Sequence, residues 1–286
     1  VAPEVDSRSM ARSRDRSRSE ADPGANWHTE SIWLSGDDHL DVLESPASDE
    51  PPLMFIHGWG LSARSYLPAL TQMTPWARVY APTLPGFGTS SPLPRRGRHD
   101  LPAYAAAVLA TWRDGQLPQP MPIVAHSMGC GVAVKLARAR PDLVTSLVLV
   151  CPIGGAGKHP VSWLRLAGSL AREAHVGFLP RLLDSGPSMV RNAGDAVHAG
   201  YVAKTADLHG DIRALVNSGR PITIIAASDD GVVPPGPLRS SGATFLEVPG
   251  GHGWLLRRPA EFARVVKPFV FPPPWREHIV HDPEPA

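Results

Sequence analysis

From residue 27 onward the chain alternates short apolar runs with stretches of helical periodicity, and the apolar runs are of two kinds. His28 to Leu34 and His39 to Leu43 mix polar and apolar positions around the turn-forming Ser35-Gly36-Asp37-Asp38, the pattern of a β-hairpin. Leu53-Met54-Phe55-Ile56, Ile123-Val124-Ala125, Ser146 to Val150 and Pro221 to Ala227 instead carry almost no polar position, and Arg78 to Ala81 and Thr244 to Val248 add two further short strands. A strand that is apolar at every position is buried on both faces. Between these runs Ser62 to Gln72, Asp100 to Trp112 and Pro259 to Val266 have helical patterns, the second with an acidic first residue and Pro102 in its first turn. The expected class is therefore α/β: a mostly parallel central sheet with helices on both faces and an antiparallel hairpin at its start.

One interval does not fit a simple alternation. Cys151 to Arg220, about seventy residues, has helical periodicity and no strand, too long for a plain crossover, and is expected to be an inserted helical cap. Within it Trp163, Leu164, Leu166, Leu170, Phe178, Leu179, Leu182 and Leu183 recur at helical spacing. The expected organisation is a polar tail at 1–26, a first core segment at 27–151, the cap at 152–219, a second core segment at 220–270 and a C-terminal tail at 271–286 that begins at Phe271-Pro272-Pro273-Pro274. No internal repeat is found.

Composition narrows the possible functions. Lys and Arg number 28 against 27 Asp and Glu, so no bulk charge calls for nucleic acid or an anionic membrane. The Arg/Ser run Ser7 to Ser19 is the local exception, with Arg8, Arg12, Arg14, Arg16 and Arg18. Glu4, Asp6, Asp15 and Glu20 nearly cancel those charges and no aromatic residue is available for stacking, so a solvated, disordered tail is expected rather than a nucleic-acid arm. The 2 cysteines, Cys130 and Cys151, suit neither a disulfide framework nor a zinc site and are expected to be small core residues. No apolar stretch is long enough to span a bilayer and no secretory signal is evident, which sets a cytoplasmic expectation. Proline (32) and glycine (26) make about a fifth of the 286 residues, against roughly 12% in ordinary proteins, and the excess belongs to turns, loops and ends.

The chemistry concentrates in Ile123-Val124-Ala125-His126-Ser127-Met128-Gly129-Cys130-Gly131, an apolar strand that passes through a serine into a helix. A sharp strand-to-helix turn projects such a serine above the sheet, and it requires small residues two before and two after, here Ala125 and Gly129. The competing reading is an ordinary serine N-cap. A serine hydroxyl needs a base and a group that orients the base. Asp230 and His252 follow later strands, in the order Ser, acid, His.

With His57-Gly58-Trp59-Gly60 after a strand, Leu84-Pro85-Gly86-Phe87-Gly88-Thr89-Ser90, the serine turn, Asp229-Asp230-Gly231-Val232-Val233-Pro234 and Gly250-Gly251-His252 before Pro259 and Phe262, the chain resembles the α/β-hydrolase fold superfamily over about Trp27 to Pro268. It resembles that superfamily's single-domain esterase, lipase-like and C–C hydrolase branch with a helical cap. The resemblance implies that Ser127 is the nucleophile, His252 the general base and acid, and Asp230 the residue that holds the imidazole. It also implies an oxyanion hole from the backbone N–H groups of Trp59 and Met128, no cofactor and no metal. Asp229 is the alternative acid, and the position after the preceding strand, where some relatives carry the acid, is Cys151-Pro152.

Other residues receive plainer readings. His57 is expected to hydrogen-bond locally and His126 to shape the turn or the pocket. Ile153-Gly154-Gly155-Ala156-Gly157-Lys158 lacks the first glycine and the final Ser or Thr of a phosphate loop and is read as the entry to the cap. Thr83 stands where relatives often carry aspartate, which bears on loop anchoring, and Pro234 to Gly242 is a poor helix, so the crossover there should be short. The expected activity is cleavage of an ester or thioester of a small hydrophobic acyl substrate through an acyl-enzyme. Two alternatives remain at this point: hydrolysis of a C–C bond in a dienone or diketone by the same triad, against which His126 in place of asparagine argues, and a non-catalytic small-molecule receptor. Dehalogenase and epoxide hydrolase readings require an aspartate at position 127.

Overall fold

The computed structural model describes residues 26–35, 37–94, 97–112, 117–154, 190–233 and 237–272. Eight strands form one sheet: β1 (His28–Ser35), β2 (Asp38–Glu44), β3 (Pro52–Ile56), β4 (Arg78–Pro82), β5 (Met121–His126), β6 (Val144–Val150), β7 (Ile222–Ala227) and β8 (Thr244–Val248). Their order is β1-β2-β4-β3-β5-β6-β7-β8. β2 runs antiparallel to both of its neighbours, β1 and β4, and every other pairing is parallel. The hairpin and the parallel core expected from the apolar runs are both present.

β5, β6 and β7 are largely apolar because successive residues serve two cores, and their polar exceptions, His126, Thr145, Ser146 and Thr223, are buried as well. Met54, Ile56, Ile123, Ala125, Leu147, Leu149, Ile222 and Ile224 face one cluster, while Leu53, Phe55, Val124, Val148, Val150, Ile225 and Ala227 face the other. The first cluster packs under α2 (Leu101–Ala110), α3 (Met128–Ala139) and α5 (His209–Asn217), and the second under α1 (Leu67–Thr71), α6 (Trp254–Arg257) and α7 (Pro259–Val270). The remaining helix among the described residues, α4 (Ala193–Thr205), places Ala199 in the first cluster.

Helix boundaries differ from expectation in instructive ways. The Ser62 to Gln72 pattern begins as a 3-10 turn, Ala63–Tyr66, and becomes α1 only at Leu67, with Pro68 in the first turn, where its missing N–H costs nothing. Asp100 caps α2, its carboxylate accepting from the Ala103 N–H at 3.1 Å. α7 continues to Val270 with Pro268 inside its last turns, held by buried Val266 and Val270 and by the Ser146 hydroxyl, which donates to the Val270 carbonyl at 2.7 Å. The crossover before β8 is a short 3-10 turn, Pro237–Ser241. The apolar cap positions from Trp163 to Leu183, and most of the Gly-rich segment before them, lie outside the described residues. Among the described residues no helix is long and apolar enough to cross a membrane.

Candidate active site

The C-terminal ends of parallel strands carry the ligand side of such a sheet, and the loops after β3, β5, β7 and β8 converge there. Ser127 follows β5 with φ 53° and ψ −118°, a conformation seldom adopted by a non-glycine residue. It is held by the sheet on one side and the helix on the other: its N–H donates to the Val150 carbonyl at 3.0 Å and its own carbonyl accepts from the Cys130 N–H at 3.1 Å. The turn is tight enough to exclude side chains. A Cβ on Gly129 would lie 2.4 Å from the Ile56 carbonyl oxygen and 2.6 Å from that of His57, both fixed backbone atoms, whereas Ala125, buried completely, is accommodated where a smaller residue was the alternative.

His252 Nε2 lies 2.9 Å from the Ser127 hydroxyl oxygen, and its Nδ1 lies 2.8 Å from Asp230 Oδ2. An ionised carboxylate only accepts, so Nδ1 carries the hydrogen and Nε2 presents its lone pair to the serine O–H. Asp230 is buried, and its other oxygen accepts from the N–H groups of Val232 (2.9 Å) and Val233 (2.8 Å). Burial pushes the Asp230 pKa up, but the facing His252 and the hydrogen bonds from His252, Val233 and Val232 outweigh it and hold the carboxyl below its ordinary value. Asp229 is exposed, with its N–H donating to the Gly250 carbonyl at 2.9 Å. The structure thus brings Asp230, and not Asp229, to His252.

Met128 is the first residue of α3, so its N–H has no intrahelical acceptor and sits at the positive end of the helix. The loop bearing Trp59 packs directly on the serine: a Cβ on Gly58 would lie 3.1 Å from Ser127 Cβ. Trp59 contributes more than the sequence indicated. Its indole N–H donates to the Ala196 carbonyl at 2.7 Å, and a Cβ on Gly200 would meet its ring at 3.3 Å, so α4 is seated on this side chain. The Asn192 amide adds a donor to the Gly86 carbonyl at 3.2 Å, joining the start of α4 to the Leu84–Ser90 loop. That loop is fastened to β2 in turn: the Asp41 N–H donates to the Ser90 hydroxyl at 3.0 Å, Ser90 donates to the Thr83 carbonyl at 2.8 Å, and Thr89 donates to the Asp41 carboxylate. Thr83, where an aspartate was the alternative, accepts from the Ala63 N–H at 3.4 Å.

His57 is buried and structural. The Leu84 N–H donates to its Nε2 at 2.8 Å, so Nδ1 carries the hydrogen and donates to the Gly58 carbonyl at 2.8 Å. Burial pushes its pKa down to about 4, against the opposing hydrogen bond to Gly58. The unfolded chain therefore binds a proton here below about pH 6.5 that the folded chain refuses until about pH 4. Stability from this residue is complete above that window and declines through it as pH falls, by about 3 kcal/mol in all. Urea unfolding across the window should show His57→Gln with a shallower acid-side slope than the wild type; an unchanged slope would remove His57 from the account.

Two groups of three among the described residues have ligand atoms close enough to share a metal ion. His126, Cys151 and His252 form one, with His252 already committed to Ser127 and Asp230. His28, Glu30 and Glu44 form the other, where the Arg78 guanidinium already occupies Glu44. Cys151 is buried beside Asp230, and burial first, then the charge of Asp230, pushes its thiol pKa well up. In the second group Arg78 takes Glu44 Oε1, and Oε2 lies 3.4 Å from His28 Nε2.

Comparison with known proteins agrees with the architecture. Residues 53–265 match the sequence profile of the alpha/beta hydrolase family. The chain is 33% identical over 98 residues to the biotin biosynthesis bifunctional protein BioHC of Cellvibrio japonicus, covering 34% of this chain and 18% of that protein. It is 35% identical over 124 residues to a pimeloyl-[acyl-carrier protein] methyl ester esterase of Methylococcus capsulatus, covering 41% of this chain and 46% of that one. It therefore spans less than half the length of either. A solved membrane phospholipase A superposes with a TM-score of 0.68 at 19% identity, covering 90% of this chain and 88% of that one, a likeness of fold. Because the matched segment runs from β3 through the serine turn and Asp230 to α7 and takes in most of the sequence, the chain belongs to the alpha/beta hydrolase family.

Proposed function

We propose that the chain is a serine hydrolase that cleaves an ester or thioester of a hydrophobic acyl compound through an acyl-enzyme. The observation that carries this reading is the continuous pair of hydrogen bonds, 2.9 Å from Ser127 to His252 and 2.8 Å from His252 to Asp230, ending on a serine held at φ 53°. As Ser127 Oγ bonds to the acyl carbon, its proton passes to His252 Nε2. The carbonyl π pair becomes an oxyanion that faces the N–H groups of Trp59 and Met128. The imidazolium, stabilised by the Asp230 carboxylate, then returns its proton to the leaving oxygen or sulfur as that bond breaks. Water repeats the sequence in the second half, giving up a proton to His252 and releasing the acid and Ser127. Each oxyanion donor is worth about 3 to 4 kcal/mol in such sites.

In this reading the cap lies within residues 152–219 and excludes α5, whose Ile212 and Leu215 pack in the core with α3; what supports it among the described residues is α4, which rests on Trp59 and on the loop bearing Gly86. The Trp59 side chain, apolar and partly buried in the loop beside Ser127, suits a hydrophobic acyl group over a sugar or peptide. The similarity to a pimeloyl methyl ester esterase supports the same substrate class.

A fluorophosphonate probe tests the chemistry without knowledge of the natural substrate. The expected result is one covalent adduct, located by mass spectrometry on Ser127, together with turnover of short and medium p-nitrophenyl esters. Binding of such esters with neither turnover nor adduct would favour the receptor reading.

A further inference from the structure

The His126 ring and the Tyr66 phenol are both buried and take no part in the proton path from Ser127 to Asp230, yet together they touch both loops that flank the serine. The Gly58 N–H donates to the Tyr66 hydroxyl at 3.1 Å, that hydroxyl lies 2.8 Å from His126 Nδ1, and His126 Nε2 lies 3.1 Å from the backbone carbonyl oxygen of His252. A carbonyl only accepts, so Nε2 carries the hydrogen and the bare Nδ1 accepts from the phenol. The direction of every link is then fixed: Gly58 to Tyr66, Tyr66 to His126, His126 to His252. Burial, with the nearby His252, pushes the His126 pKa down to about 3, so the ring stays neutral and keeps this polarity.

The bridge has closely fitted supports. A Cβ on Gly58 would lie 3.1 Å from His126 Nδ1 and 3.2 Å from the Tyr66 hydroxyl, so any larger residue there would have to push one of these groups by a few tenths of an ångström. The His126 ring lies with its centroid 4.9 Å from that of His252, against the imidazole whose backbone it holds.

We propose that Tyr66 and His126 are positioning residues: the Gly58–Tyr66–His126–His252 bridge sets the spacing between the loop that carries the Trp59 N–H and the loop that carries the His252 imidazole, across Ser127. The inference rests on the reading of Ser127, His252 and Asp230 as the catalytic groups. Residues that only filled the core would act through their volume. Residues that set spacing act through the hydroxyl and the Nε2–H.

Three variants separate these roles. Tyr66→Phe keeps the ring and removes the link. His126→Asn keeps an acceptor for Tyr66 but is too short to reach the His252 carbonyl, while His126→Gln carries an amide N–H to about the place of Nε2–H. Hydrolysis of p-nitrophenyl butyrate, the rate of fluorophosphonate labelling and the thermal midpoint are measured for each. Tyr66→Phe and His126→Asn are expected to lower kcat roughly tenfold or more, with KM little changed, because misplacement of reacting groups by a fraction of an ångström is felt in the transition state. Labelling should slow by the same factor, and His126→Gln should recover most of what His126→Asn loses. Wild-type kcat in Tyr66→Phe and His126→Asn overturns the proposal. So do losses that follow the thermal midpoint with His126→Gln no better than His126→Asn, and that second comparison stands even if Tyr66→Phe does not fold. Failure of the wild type to label at Ser127 overturns the hydrolase reading, and the bridge with it; normal wild-type labelling with unaffected variants overturns the bridge alone.

Discussion

Ser127→Ala is expected to lower kcat for ester hydrolysis by about 10^6-fold and to abolish labelling by a fluorophosphonate. In the proposed mechanism the loss is this large because the hydroxyl is the atom that bonds to the acyl carbon: with it gone, His252 and Asp230 have no proton to move and the two-step path closes. It is not total, since the N–H groups of Trp59 and Met128 are backbone donors that the substitution leaves in place, and such a site retains roughly 10^3-fold catalysis over water. The fold should survive, because the bonds that hold position 127, from its N–H to Val150 and from the Cys130 N–H to its carbonyl, are also backbone bonds. Steady-state kinetics beside a circular dichroism spectrum checks both halves. Turnover within about tenfold of wild type in the folded variant would assign the nucleophile elsewhere.

Asp230→Asn should come next, with kcat lower by about 10^4-fold at unchanged structure. The carboxylate accepts from His252 Nδ1 at 2.8 Å, which leaves the Nε2 lone pair aimed at Ser127. An amide can turn its NH2 toward Nδ1 and stabilise the other tautomer, whose Nε2–H cannot take the serine proton. Its oxygen can still accept from the Val232 and Val233 N–H groups, so the loop is retained. Asp229→Asn alters an exposed side chain, while Asp230 is the partner of His252 Nδ1, and should leave kcat within about threefold of wild type. Equal losses in the two variants would defeat the assignment of Asp230.

Much of this was legible in the sequence, for physical reasons that differ from element to element. The parallel strands announced themselves because a strand with a core on each face buries both alternating sets of side chains and so carries few polar residues, and β5, β6 and β7 are of that kind. Ser127, Asp230 and His252 were visible because the serine turn needs Gly129, and because strand ends are marked by turn residues such as Pro249-Gly250-Gly251. Helix ends were less legible, since patterns of apolar residues do not distinguish a 3-10 turn from α-helix, and the Ala63–Tyr66 turn ran into α1 unmarked. The helical pattern was read only to Val266, yet α7 runs on through Pro268 to the buried Val270. Tyr66 was missed altogether. In sequence it is one more large residue in a helical stretch, and only the fold reveals that its hydroxyl meets the Gly58 N–H and the His126 ring. The indole of Trp59 was missed likewise, because its partner Ala196 stands 137 positions away.

Ser127 and Cys151 are the non-glycine residues with positive φ, 53° and 46°, among those described, and they end adjacent strands, β5 and β6. Such conformations cost of order 1–3 kcal/mol each and persist only while the surroundings enforce them. At Ser127 the enforcing contacts are the backbone bonds to the Val150 carbonyl and from the Cys130 N–H, and these are kept in place by the packing of β6 and α3 in the two cores. Loosening that packing with a little urea or warmth would release the strand ends before the strands themselves. The protein would then lose its reactivity at a milder condition than its secondary structure, and a sample could look folded by circular dichroism after it had ceased to work.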